Sequence, residues 1–319
     1  MKVGCVVVTY SNEAGLFQCL DSLIDQTFIL EEIIVVNNGK VIKDINNRYP
    51  SVSVVDNEKN LFYAGGLNQG IKMSRSDFIL CLNDDVVLEK NFLEEALKGF
   101  DKDERIGMVS GKVLSISNNR IIDSTGLFLG RNRKPLERGY QCLDNGEYDR
   151  EGFVFGVSGA VGLYKREMLE DIACEGDYFD STYKMFYEDI DLCWRAQRKG
   201  WKAYYLPEAV AYHQRGKTTK VNPPALPFLR KYIFSWLDKD LQIFFIRNRY
   251  RTILKNDSWK SFLKDSLYII AYELCLWFYL LVFRRFLIYN IISDLAFIVD
   301  SLKKRKVILG QNKNIFKRN

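Results

Sequence analysis

Apolar positions in the first third of the chain fall into short unbroken runs separated by longer amphipathic stretches. Val3–Thr9, Glu32–Val36, Val52–Val55 and Phe78–Leu82 are such runs, rich in valine and isoleucine, as expected of strands buried on both faces of a parallel sheet. Between them Leu16, Leu20, Leu23 and Ile24 share one helical face, as do Phe92, Leu93, Ala96, Leu97 and Phe100. Strand alternating with helix from residue 3 to about 112 predicts an open α/β sheet. Ligands of such sheets bind beyond the carboxyl ends of the strands, here residues 9–12, 37–40 and 83–85. From 113 to 165 the style changes to short alternating stretches, Ile121–Leu129 and Phe153–Tyr164, which predict antiparallel strands extending the sheet. A helix is expected over Glu188–Lys199, stopped by Gly200, and then a strand over Trp201–Leu206 closed by Pro207. From Pro223 onward the pattern is long and helical.

Charge divides the chain in the same way. The net +6 of the 319 residues conceals 28 Lys+Arg against 33 Asp+Glu in residues 1–225, and 18 against 7 in residues 226–319. A first domain over 1–225 and a basic helical region over 226–319 are therefore expected. The second holds 19 of the 44 aromatic residues. Its run Ser266–Phe283 is apolar apart from Glu273 and a few hydroxyls, and Arg284 and Arg285 follow. Its 18 residues fall slightly short of the ~20 that span a bilayer. Trp236, Trp259 and Trp277 among lysines and arginines suit helices lying at a membrane surface. The alternative is an ordinary helical subdomain covering the sheet or forming a homodimer. Nucleic acid is not expected as a partner, because the tail lacks polar, accessible character between its charges.

Seven scattered cysteines without a CxxC pair suggest neither a zinc cage nor a disulfide framework. Met1–Gly4 runs straight into an apolar strand without the basic region and cleavage site of a secretory signal, so a cytoplasmic catalytic body is expected.

Three places could carry chemistry. Strand Phe78–Leu82 ends in Asn83-Asp84-Asp85, where adjacent carboxylates repel each other and a divalent cation would relieve the repulsion. The same tripeptide also makes an ordinary polar turn. Glu188, Asp189 and Asp191 open the expected helix, either as charge complementing its dipole or with one carboxylate taking a proton from an incoming hydroxyl. His213 is the only histidine, which excludes a two-histidine metal site but allows completion of a carboxylate one, or a purely structural role.

Six ordered segments carry a resemblance: VVVTYSNEAGLFQCLDSLIDQ (6–26), IIVVNNG (33–39), NLFYAGGLNQG (60–70), LNDDV (82–86), GAVGLYKREML (159–169) and FYEDIDLCWRAQRKGWKAYYLPEAVAYH (186–213). Together they resemble the family 2 glycosyltransferases of GT-A fold, particularly the bacterial rhamnosyltransferase-like branch, over roughly residues 3–218. The resemblance implies a GT-A (Rossmann-like) mostly parallel sheet with an antiparallel extension, followed here by the C-terminal helical region. It places Thr9, Tyr10, Asn37 and Asn38 at the base and ribose of a nucleoside-diphosphate sugar, and Gly65, Gly66 and Asn68 near the donor. Asp84 and Asp85 match the acidic motif that holds Mg²⁺ or Mn²⁺ on the donor diphosphate. Asp85 is the expected direct ligand, and His213 matches a histidine that joins the metal or diphosphate. Asp189 matches the catalytic base, with Glu188 and Asp191 orienting it or binding the acceptor. The implied reaction is inverting transfer of a rhamnose-like deoxyhexose or a hexose to a hydroxyl of a glycan or polyprenyl-linked saccharide. It would serve cell-surface polysaccharide synthesis on the cytoplasmic face of the membrane.

The chain departs from the family in having Asn37 where Asp is common and Ser11 where Asn is common, which leaves the nucleotide preference open. A dehydrogenase is not supported, since residues 9–15 contain no GxGxxG. A nucleotidyltransferase would use Asp84 and Asp85 but has no call for Glu188 and Asp189. A noncatalytic saccharide-binding protein retaining the fold is the remaining alternative.

Overall fold

The computed structural model describes residues 1–215 and 237–315. The stretch 216–236, with Trp236 and the expected boundary at 225/226, lies outside the described residues. The chain forms two compact units. The first comprises residues 1–128, 137–184 and 188–215, and the second comprises 129–136, 185–187 and 216–319.

In the first unit β1 (Val3–Thr9) lies between β2 (Glu32–Asn37) and β4 (Phe78–Asn83), parallel to both, and β3 (Val52–Asp56) continues the parallel set beyond β2. The register aligns Thr9 with Asn37, Asn37 with Asp56 and Val8 with Asn83, so one polar edge collects the carboxyl ends of all four strands. The interiors of β1, β2 and β4 are apolar and buried on both faces, as strands covered on each side require, whereas the outer strand β3 exposes Ser53. Helix α1 (Glu13–Ile24) supplies Leu16, Cys19, Leu20 and Leu23 to the core. A short α2 (Ile45–Arg48) precedes β3.

The segment Phe62–Met73 is helix α3, despite its three glycines. A Cβ on Gly70 would lie 2.3 Å from Val6 Cγ1, and one on Gly66 would lie 2.8 Å from Val8 Cγ1. Close approach of α3 to the sheet, rather than a flexible loop, explains these two glycines.

The expected antiparallel extension is present. β11 (Val161–Lys165) runs antiparallel between β4 and β6 (Ile106–Ser115), and β12 (Lys202–His213) lies on the far side of β6, parallel to it. β5 (Val86–Leu88) and β10 (Gly152–Val154) pair antiparallel with β12, and β7 (Asn118–Ser124) pairs with β6. Helices α4 (Phe92–Leu97), α5 (Arg166–Ile172) and α6 (Glu188–Arg198) complete this unit, α6 ending just before Gly200, whose φ is +80°.

Pro207 does not end the last strand. β12 continues to His213, with a register shift between Leu206 and Val210 opposite Gly111 and Lys112. Proline is tolerated at such a bulge because no ladder hydrogen bond is asked of it. A Cβ on Gly111 would meet the Ala209 carbonyl at 2.0 Å, so glycine there makes room for the bulge.

The second unit consists of α7 (Lys239–Asn256), α8 (Trp259–Phe283), α9 (Arg285–Ser293), α10 (Ala296–Ile315) and the two short insertions from earlier in the chain. Its core is built from Leu237, Ile246, Leu276, Tyr279, Leu280, Leu287, Ile291 and Phe297. The insertion 129–136 is the tip of a hairpin between β8 (Leu127–Leu129) and β9 (Pro135–Glu137). It is anchored by buried Arg133, which bonds Asp257 and Asp265 at 2.8 Å each and the Ser261 hydroxyl at 2.8 Å. Helix α8 is longer than the apolar run inside it, beginning at an N-cap in which Ser258 Oγ accepts from the Ser261 amide. Among the described residues it is the one helix long and apolar enough to cross a membrane.

Candidate active site

The polar edge of the sheet is built first by backbone register. Pairing of Val86 with His213 brings the end of β12 beside the turn after β4, and the Gln214 amide donates to the Asp85 carbonyl at 3.0 Å. As a result His213 Nε2 lies 3.1 Å from Asp85 Oδ1. On the other side of the ring, Nδ1 lies 2.8 Å from Asp123 Oδ2. Burial works against charge on this imidazole, but hydrogen bonds to Asp123 and Asp85 outweigh it and raise its pKa to about 9. Asp123 in turn accepts from Arg215, whose guanidinium reaches Glu137 at 3.4 Å. Burial opposes ionisation of Asp123, yet His213 and Arg215 hold its pKa below the ordinary value. Burial lifts Glu137 to about 7 against the opposing pull of Arg215 and Ser124.

Asp84 turns the other way. Its Oδ2 accepts from Thr9 Oγ1 at 2.6 Å and from the Tyr10 amide at 3.4 Å, and its Oδ1 accepts from Asn12 Nδ2 at 3.1 Å. It therefore ties the loop after β1 to the loop after β4, leaving Asp85 as the carboxylate beside His213. Burial raises the Asp84 pKa in spite of those donors.

At the nucleoside end expected from the sequence, Thr9 and Asn37 are fully buried, Asn38 nearly so and Tyr10 exposed. Asn37 donates to the Lys40 carbonyl and, at 2.6 Å, to Asp56 Oδ1, while its own Oδ1 accepts from the Gly39 amide. Asp56 thus supplies next to Asn37 the charge that Asn37 lacks, a neighbour visible only once β2 and β3 are paired. Asn38 bonds the Phe62 carbonyl and the Leu61 amide, fixing the entry to α3.

The second acidic corner sits at the start of α6. Asp189 Oδ2 accepts from the Gly159 amide at 3.0 Å and Oδ1 from the Ile190 amide at 2.7 Å. Burial nevertheless raises its pKa. Glu188 is pushed well above the ordinary range by burial and by Asp189, and its Oε2 is buried without a hydrogen-bond partner. The Tyr63 hydroxyl donates to the Gly159 carbonyl, the Gly159 amide donates to Asp189, and the next carbonyl, that of Ala160, accepts from the Asn83 amide at 3.0 Å, so residues 159–160 link the end of β4 to the start of α6.

Three expectations are corrected. Asp191 does not face the other carboxylates: two positions along a helix is roughly 200° of rotation, and it is fully buried in an ion pair with Arg195 at 2.9 Å, with the Tyr183 hydroxyl at 3.2 Å. Arg195 also bonds the carbonyls of Ile172 and Tyr178, so the pair is structural. Asn68 is buried with its amide committed to the main chain of Tyr178 and Phe179. Gly66, together with Gly70, serves helix packing, and Gly65 lies in the same helix, its nearest neighbour to an added Cβ being Leu61 at 3.0 Å. Sequence reasoning missed Tyr63, Asp123, Glu137 and Arg215. The one local signal was Arg215 itself, two residues beyond His213, although it stands past the end of β12 with φ of 49°.

Among the described residues no group of three or more His, Cys, Asp or Glu side chains is gathered to hold a metal. Asp85 and His213 still fit a divalent cation, because Mg²⁺ and similar ions are commonly bound by one or two protein groups with substrate phosphates completing the shell. A carboxylate on the far nitrogen, as Asp123 provides, is the usual companion of a metal-ligating histidine.

A mixed sheet with this polar edge is the layout of the GT-A glycosyltransferases. Solved structures with the same fold include GalNAc-T7 with UDP, GalNAc and Mn²⁺, at a TM-score of 0.58 and 14% identity over 80% of this chain and 48% of that one. Staphylococcus aureus TarS 1-349 in complex with UDP superposes with a TM-score of 0.54 and 17% identity over 84% of this chain and 70% of that one. The profile of glycosyl transferase family 2 matches residues 5–172, and the chain belongs to that family. Curated relatives include the poly-beta-1,6-N-acetyl-D-glucosamine synthases of Staphylococcus aureus strain COL, 24% identical over 65% of this chain, and of Staphylococcus epidermidis, 23% identical over 66%. The chain spans about half the length of these relatives, 48% and 49%.

Proposed function

We propose that this glycosyltransferase is a metal-dependent inverting enzyme that moves a sugar from a nucleoside-diphosphate donor to a hydroxyl of a growing surface polysaccharide or its lipid-linked precursor. The observation that carries the reading is the pair of acidic corners, Asp85 with His213 and Glu188 with Asp189, linked through the main chain of 159–160: the Gly159 amide donates to Asp189 and the Ala160 carbonyl accepts from the Asn83 amide. Asp189 takes the proton of the acceptor hydroxyl as its oxygen attacks the anomeric carbon, and the bond from that carbon to the diphosphate breaks on the opposite face. The Gly159 and Ile190 amides fix both carboxylate oxygens of Asp189, and burial beside Asp189 pushes the Glu188 carboxyl well above the usual range. Asp85 and His213 would hold Mg²⁺ or Mn²⁺, which when bound neutralises charge on the departing diphosphate. At the nucleoside end the exposed Tyr10 is available to the base, and the buried Thr9, Asn37 and Asn38 hold the strand ends behind it, with Asp56 beside the neutral Asn37.

The donor is a hexose or a rhamnose-like deoxyhexose on uridine or deoxythymidine diphosphate. The named products of the curated relatives and the UDP complexes of the structural neighbours favour the uridine series. The helical unit brings the enzyme to the cytoplasmic membrane surface, a reading supported by the outward apolar stripe of Leu263, Leu267, Ile270, Leu274, Phe278 and Leu281 on α8. Release of nucleoside diphosphate from a panel of UDP-hexoses and dTDP-rhamnose, with Mn²⁺, with Mg²⁺ and with excess chelator, tests the reading. Consumption of one donor only when metal is present is expected. Full activity in chelator, or consumption of none of the panel by folded protein, would count against it.

A further inference from the structure

The two insertions into the helical unit share one feature: each leads directly into a residue of the acidic network. Residue 136 is followed by Glu137, and residue 187 by Glu188 and Asp189. Adjacent residues of α7 grip both. Asn248, almost fully buried, donates from Nδ2 to the carbonyls of Met185 and Phe186 at 2.9 Å each. Arg249 donates to the carbonyls of Arg133 and Asn132 at 2.8 Å each, and to Glu273. Phe245, one turn earlier, packs edge-on against Phe186 and Tyr187 at centroid distances of 5.9 and 5.2 Å.

The stretch before Asp189 needs such a grip. Lys184, Phe186 and Tyr187 have φ of 62°, 69° and 69°. Bulky side chains adopt that region only where the surroundings over-determine it. The Asn248 amide is committed to these main-chain carbonyls, while Arg249 divides its donors between the carbonyls of 132 and 133 and the Glu273 carboxylate.

We infer that Asn248 and Phe245 are positioning residues for Asp189: by holding 185–187 in its strained conformation, α7 fixes the start of α6 and the direction of the base. The inference rests on Asp189 being the base, and the test separates the two. Full-length Asn248→Ala and Phe245→Leu are compared with wild type, with Asp189→Asn, and with Ile308→Ala, which loosens the packing of α10 in the same unit. By hydrogen–deuterium exchange, the amides of 186–190 are expected to exchange about tenfold faster in the first two variants and to be unchanged in Ile308→Ala. With the donor that wild type consumes, UDP-N-acetylglucosamine being the first probe, kcat is expected to fall about 10²-fold with donor KM within about threefold. Unchanged exchange at 186–190 in both variants, or unchanged kcat alongside an inactive Asp189→Asn, overturns the inference. Wild-type turnover by Asp189→Asn would instead remove the base assignment on which it rests.

Discussion

At the scale of single residues, the proposed chemistry rests on two adjacent carboxyls, Glu188 buried and Asp189 half-buried. Glu188 and Asp189 both sit above their ordinary pKa, mainly through burial, and they divide the labour because only Asp189 has amide donors on both oxygens. A base works deprotonated, so kcat/KM is expected to fall on the acid side through a pKa higher than that of a free aspartate. A pH–rate profile with no acid limb above the ordinary carboxylate range would contradict this. Glu188 has a stability signature of its own. Because its folded pKa is raised, its contribution is present below the unfolded pKa and is lost as pH rises through the folded one. Glu188→Gln should therefore gain in melting temperature over wild type as pH rises from 5 to 8, and parallel curves would show that Glu188 is not held protonated. Asp123→Asn removes the acceptor that orients His213, and a metal requirement raised ~10- to 100-fold is expected from a titration of activity with Mn²⁺.

The residues that announced themselves in the sequence, Asp85, Asp189 and His213, do so because strand ends and a helix start are local features. Asp123, Glu137 and Tyr63 were silent because the bonds that bring them to the site, to His213, Arg215 and Gly159, span 78 to 96 positions. Asp191 misled for the converse reason: adjacency in sequence to Asp189 says nothing about which side of α6 it faces.

Among elements, the parallel half of the sheet was legible because buried parallel strands read as unbroken apolar runs. The rest depended on tertiary fit. Pro207 was read as a stop because a bulge in β12 depends on the glycine opposite, Gly111, which only strand pairing reveals. Gly111→Ala would drive a Cβ into the Ala209 carbonyl. A loss of about 1–3 kcal/mol in urea unfolding is expected, and a variant as stable as wild type would show that the bulge can move. Similarly, the resemblance alone placed Gly65 and Gly66 near the donor, and the packing of Gly66 and Gly70 against Val8 and Val6 depends on the strand opposite.

Over the whole molecule, the contrast between an acidic first part and a basic, aromatic tail corresponds to a catalytic sheet unit and a helical unit with an outward apolar stripe. Apolar contact with neighbouring basic charge predicts flotation of the full-length protein with vesicles containing anionic lipid, weakened by salt and by Leu267→Glu with Leu274→Glu. Equal recovery in the bottom fraction with and without vesicles would favour a second copy of the chain as the partner of that stripe.

We propose Asp189 as the base of glycosyl transfer. This role is tested most directly by turnover of Asp189→Asn with the donor and acceptor that wild type uses, in saturating Mn²⁺, with donor affinity measured in parallel. The structure predicts a loss of about 10²- to 10⁴-fold in kcat with donor affinity retained; turnover within about twofold of wild type would contradict it.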